Sequence, residues 1–115
     1  MSRSRVPPNS PESEAGVLGS ILQDPLRVLD LCIQHKLHVD CFHAPANRVI
    51  FTEMGNLLGK GKPVDILTVT DRLVLTGKVG QAGGSTALED LIDKTPTSAH
   101  AGHYIEEVMK KYKMR

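Results

Sequence analysis

From Ser10 onward, proline and glycine cut this chain into short segments, most of which open on a capping residue or a proline and close on a glycine or the next proline. Helices leave that punctuation in a sequence, because a proline ring fits the first helical turn and a glycine fits the left-handed stop. Ser10-Pro11-Glu12 supplies an N-cap, a proline at the first helical position and an acid near the positive helix end. Ala15, Leu18, Ile21 and Leu22 then share one face until Asp24-Pro25 stops this helix and caps the next. The second helix, over 25–36, presents Leu26, Leu29 and Ile33. Residues 37–44 (LHVDCFHA) have no clean period and are read as a crossing loop, with Phe42 pinned into the core.

Pro45 opens a third helix, in which Val49, Ile50, Met54, Leu57 and Leu58 keep helical spacing up to a stop at Gly59 and Gly61. Asp65 caps a fourth, carrying Ile66, Val69 and Leu73 to a second stop at Gly77. The β-branched residues of 63–75 (PVDILTVTDRLVL) would also suit a strand, but cap and stop agree with a helix and no partner strand is evident. Residues 80–84 (GQAGG) form a loop, and Thr86 with Glu89 makes a candidate capping box ahead of Leu88, Leu91 and Ile92. After the break at Thr95-Pro96, a last helix is predicted to start near Thr97 or Ser98 and to carry Ala101, Tyr104, Ile105, Val108 and Tyr112 along one stripe. No stop follows it before Arg115, so it is expected to continue in a longer protein. The predicted fold is all-α: a compact bundle of roughly six short helices over 11–115, behind a flexible N-terminal arm at 1–10.

At 115 residues such a bundle buries roughly two-thirds of the surface of its unfolded chain, enough for a real core. Phe42, Phe51, Tyr104 and Tyr112 are the only aromatic residues, so Leu, Ile, Val, Ala and Met must build that core. Its expected anchors are Leu18, Phe42, Ile50, Phe51, Leu73 and Leu88. With 14 Lys and Arg against 13 Asp and Glu, the net charge of +1 gives no general reason to bind a polyanion. Two cysteines are too few for a disulfide scaffold, no apolar run is long enough for a membrane helix, and the first ten residues lack the apolar stretch of a secretory signal. The simplest location is the cytoplasm.

Three constellations invite a chemical reading. Residues 55–61 (GNLLGKG) resemble a phosphate-binding loop, but one residue is missing between the glycines and Gly61 stands where Ser or Thr would hold magnesium, so a helix stop is the better reading. Cys32, His35, His38, Cys41 and His43 are all zinc-ligand types, yet they lack the paired knuckles of a structural site, and no metal is expected. Ser20, His43 and Asp65 could be named as a triad, although no spacing favours them, and no catalytic residue is expected. With charge near balance, any partner contact should be apolar, for which Tyr104, Val108, Met109 and Tyr112 on the last helix are the candidates, with Asp65 and its loop next.

The order of short motifs goes further. Ser13-Glu14-Ala15 with Val17-Leu18-Gly19-Ser20 resembles the opening segment of DnaB-type replicative helicases, and Asp40-Cys41-Phe42 with Ile50-Phe51-Thr52-Glu53-Met54 resembles the segment that follows it. Pro63-Val64-Asp65 with Thr68, Val69 and Leu73, Gly83-Gly84 with Leu88, Thr95-Pro96-Thr97-Ser98-Ala99, Tyr104 with Val108, and Arg115 complete the series. The chain departs from that pattern at His43, Asn47, Ala87 and His100, where the family favours Tyr, His, Tyr and Asn. The resemblance implies the non-catalytic N-terminal domain of such a helicase, with its last helix leading into a helical hairpin. Such a head supports the collar of a hexamer by pairing with copies of itself, and receives primase and a helicase loader. ATP, magnesium and DNA would be handled by the motor of the parent protein, and no cofactor belongs to this segment. A primase-type helicase-binding domain, a small zinc-binding regulatory domain and a small enzyme stand as alternatives.

Overall fold

The computed structural model describes residues 9–115, so most of the expected arm at 1–10 lies outside the described residues. Six α-helices follow one another: α1 (Pro11–Gln23), α2 (Pro25–Gln34), α3 (Pro45–Gly59), α4 (Ile66–Leu75), α5 (Ala87–Lys94) and α6 (Ala101–Met114). A short 3-10 turn at Val39–Cys41 lies between α2 and α3, and no strand occurs among the described residues.

The first helix is the axis of the bundle. Every residue from Ser13 to Leu22 is buried, so α1 has no solvent face over this stretch, where the apolar spacing predicted only a stripe. Its small residues make this possible. A Cβ on Gly16 would lie 2.5 Å from the Tyr104 ring, and one on Gly19 would lie 2.6 Å from the Leu91 carbonyl oxygen, so α6 and α5 press directly on the α1 backbone. Thr95, fully buried, ties the same seam by donating from Oγ1 to the Ala15 carbonyl, while the Gln23 amide donates to the Thr95 carbonyl.

Caps and stops fall largely where the sequence puts them. Ser10 accepts a hydrogen bond from the Ser13 amide, and Asp65 and Thr68 close a reciprocal capping box at 2.8 and 2.9 Å. Gly61 and Gly77 both take the left-handed conformation, at φ 68°. Three expectations need correction. Asp24 does not cap α2; its carboxylate pairs with Arg27 at 2.7 Å, and the same guanidinium reaches the Ser98 carbonyl at 2.8 Å. No capping box forms between Thr86 and Glu89, because the Thr86 hydroxyl turns instead toward Asp90, 3.4 Å away. The last helix begins at Ala101, later than expected, since Thr97 accepts from the Ala99 amide and the Ser98 carbonyl from the Ala101 amide in a turn that precedes it.

The second helix is rotated from the expected face. Val28, Leu29 and Cys32 are buried, whereas Leu26 and Ile33 are 74% and 66% exposed. Of the expected core anchors, Leu18, Phe42, Ile50, Leu73 and Leu88 are buried in one cluster, and Phe51 packs against it only half-buried.

One buried charge joins α3 to α4. The Glu53 carboxylate is 1% exposed and accepts from Arg72 at 3.1 Å and Lys78 at 3.4 Å, with Asn56 at 3.4 Å. Burial pushes its pKa up, but the hydrogen bonds from Arg72, Asn56 and Lys78 and the Arg72 charge outweigh burial and hold it below the ordinary 4.5. The stabilisation this brings is present above that ordinary value and is lost as pH falls through the lowered one. Thermal melts from neutral to acidic pH should show the domain losing stability below about pH 4.5, and Glu53→Gln should flatten that limb. An acid limb unchanged by the substitution would mean that other carboxylates set it.

Candidate partner-binding surface

The expected contact residues on α6 do not form one exposed patch. Val108 is 1% exposed and belongs to the core, so it offers nothing to a partner. The half-buried Tyr104 ring lies over Gly16 and serves the seam between α1 and α6. Met109 and Tyr112 are also half-buried, at the far end of the helix. There the His38 ring meets Tyr112 edge-on at 5.4 Å, Arg115 stacks over the same tyrosine at 5.5 Å, and its guanidinium donates to the Cys41 carbonyl at 2.7 Å. These contacts fasten the end of α6 to the 3-10 turn. Asp65 is exposed, but its carboxylate is engaged in capping α4.

The cysteines and histidines of 32–43 are dispersed by the same packing. Cys32 is 2% exposed, and burial pushes its thiol up to about 12. The Cys41 sulfur lies 3.4 Å from His38 Nδ1 and 3.6 Å from the Met109 sulfur. Its pKa is raised too, chiefly by burial, with Asp40 adding to the rise while the His38 amide and Arg115 act against it. His38 Nδ1 also stands 3.0 Å from the Lys36 carbonyl, and His43 donates its backbone amide to Glu14. Among the described residues, no group of three or more His, Cys, Asp or Glu side chains is placed to hold a metal ion. Both thiols should therefore resist iodoacetamide in the native protein near neutral pH and react quickly once it is unfolded. Fast native labelling of Cys41 would contradict this packing.

The other two constellations resolve similarly. Residues 55–61 are the end of α3 and its stop, where the amides of Lys60, Gly61 and Lys62 bond back to carbonyls of the last turn. Ser20 is fully buried within α1, and its hydroxyl has no partner among the described residues, while Asp65 is exposed at the head of α4.

Two features escaped the reading of the sequence. Glu14, 2% exposed on α1, accepts from the amides of His43 at 2.7 Å and Ala44 at 3.2 Å and from the Asn47 side chain at 2.9 Å. It thus caps α3 from another helix, because Ala44 at the N-cap position has no side chain able to do so. The second is a strip of apolar side chains left in solvent on α2 and α4: Leu26 and Ile33, then Leu67, Val74 and Leu75.

Comparison with known proteins places this arrangement. The family described as DnaB-like helicase N terminal domain matches residues 6–110. A replicative DNA helicase DnaB of Geobacillus stearothermophilus is 33% identical over 111 residues, covering 96% of this chain and 24% of that protein. The replicative DNA helicase DnaB of Mycobacterium leprae is 32% identical over 111 residues, covering 96% and 18%. The crystal structure of the N-terminal domain of DnaB helicase from Mycobacterium tuberculosis superimposes with a TM-score of 0.88 at 31% identity, over 95% of this chain and 74% of that one. The chain spans less than a third of the length of the curated relatives it matches.

Proposed function

The chain belongs to the DnaB-like helicase N-terminal domain family, and from that premise we propose that it is the non-catalytic head of a replicative DNA helicase. In this reading, residues 11–115 act as one helical unit that supports the hexamer collar through contacts with copies of itself and receives primase, and in some settings a loader, during DNA replication. The observation that carries it is the agreement of both sequence and fold, over nearly the whole chain, with the N-terminal domains of replicative helicases.

The residues suit a module that binds proteins. The buried polar side chains of Glu14, Glu53 and Thr95 are spent on joining helices. ATP and magnesium would serve the motor of the parent protein, and DNA would be reached only through it. Work on a chromosome places the protein in the cytoplasm, and no helix among the described residues is long and apolar enough to cross a membrane.

Removal of residues 11–115 from the parent helicase tests the proposal. Rings should become less stable to dilution and primase should no longer bind, while nucleotide still binds the motor. Rings of unchanged stability that still bind primase would overturn it.

A further inference from the structure

A net charge of +1 does not mean an even surface. Where the end of α2 meets the second half of α6 lies an open recess of 350 Å³, lined by His35, Glu106, Met109, Lys110 and Lys113. The four lining residues of α6 stand three, four and seven positions from Glu106, which sets them on one side of the helix. That side flanks the stripe of Ala101, Ile105 and Val108 that enters the core. Glu106, Lys110 and Lys113 are exposed, while His35 and Met109 are half-buried.

The fold makes no use of these charges. Glu106 and Lys110 are four residues apart, a spacing at which ion pairs form readily, yet none forms here. Lys110, Lys113 and the His35 ring make no side-chain hydrogen bond or ion pair among the described residues. Nor does the end of α2 need the lysines, since the amides of His35, Lys36 and Leu37 already take the carbonyls of Leu31, Ile33 and Cys32. A further ammonium adjoins His35 at a cost in backbone strain. Lys36 is exposed and holds φ 60°, a conformation for which the stops of α3 and α4 use Gly61 and Gly77. A lysine kept where glycine would be at ease points to a use for its side chain.

We infer that this recess receives an acidic segment of a partner protein, with a carboxylate held between Lys110 and Lys113 and an adjoining apolar side chain resting on Met109. Two unpaired ammoniums and an imidazole outweigh the single carboxylate of the lining, and the flexible thioether of Met109 adapts to whatever apolar group lies against it. Nucleic acid fits this lining less well. Glu106 repels a continuous phosphate chain, whereas a peptide can set a neutral residue opposite it. No Phe, Tyr or Trp lines the recess, and Tyr112 nearby on α6 is covered by His38 and Arg115, so no such ring is offered to a base. The inference rests on the protein-binding role in the proposed function and names the chemistry of one partner.

Nuclear magnetic resonance titration of the full 115-residue chain with a synthetic peptide of Glu, Asp and Ser around one Leu tests it. The amides of His35, Lys36, Met109, Lys110 and Lys113 should shift saturably, and added salt should weaken the binding. Lys110→Glu and Lys113→Glu should each weaken it, and together by roughly tenfold or more, with helical content and melting temperature retained because both side chains are exposed. Lys111→Glu, on the same helix but outside the recess, is the control and should lose far less. Absence of shifts at these amides, equal losses in the Lys110→Glu and Lys111→Glu proteins, or equal binding of a peptide with Gln and Asn in place of its acids would overturn the inference. Tighter binding of single-stranded oligothymidylate at the same amides would overturn it in favour of nucleic acid. These outcomes are independent of whether parent rings hold together and bind primase, so failure of this recess is distinguishable from failure of the proposed function.

Discussion

Phe42→Ala should destabilise the domain by ~3–5 kcal/mol, a large share of the stability expected of a chain this small. The Phe42 ring is fully buried where the turn after the 3-10 segment plugs the bundle, and it packs on Phe51 with centroids 5.0 Å apart. Truncation would leave a cavity in the middle of the core cluster, and the cost grows with how little that cavity can collapse. The neighbouring Phe51 is only half-buried, so Phe51→Ala should cost less than half as much. Urea unfolding followed by circular dichroism gives both numbers. Equal costs, or a cost under about 1 kcal/mol at Phe42, would mean that the turn is not anchored as described.

Glu14→Ala is expected to have an effect of similar size through a different cause. Its carboxylate accepts three hydrogen bonds, from His43, Ala44 and Asn47, in a place where water cannot replace it. Removing it strands two backbone amides at the start of α3, and each buried unsatisfied donor costs about 1–3 kcal/mol. Loss of the negative charge at the positive helix end adds to this. We expect a total of ~3–4 kcal/mol, with Glu14→Gln restoring part of it because the amide oxygen still accepts. Glu12 is exposed in the same turn and provides the control, expected to cost under about 1 kcal/mol on replacement by Ala. Hydrogen exchange at the His43 and Ala44 amides should rise in the Glu14→Ala protein and not in the Glu12→Ala one. Equal destabilisation by the two substitutions would remove Glu14 from its capping role.

These residues also show where the sequence can be read and where it cannot. Helix starts at Pro11, Pro25 and Pro45, the Asp65 cap and the stops at Gly61 and Gly77 are local chemistry, and they are legible in a single chain. The end of α2 is less so, because the left-handed residue there is Lys36, at φ 60°, and no glycine announces it. The face of α2 was ambiguous for a geometric reason. Leu29 belongs equally to a stripe with Leu26 and Ile33 and to one with Val28 and Cys32, and only packing against α1 and α6 chooses between them. Tyr104 and Tyr112 look like anchors for a partner until Gly16 and His38 are found beneath them, at separations in sequence that no periodicity reports. Glu14 was visible only as part of the family motif, since a carboxylate that caps a helix thirty residues away leaves no local signal.

Family membership fixes the kind of molecule, and the role proposed for it is that of a protein-binding head. Calorimetric titration of this chain into primase from the same replication system tests it most directly. Binding should be saturable in the absence of nucleotide and DNA, with no ATP hydrolysed by the mixture. Two well-folded proteins that give no heat and no complex at high micromolar concentration would contradict it.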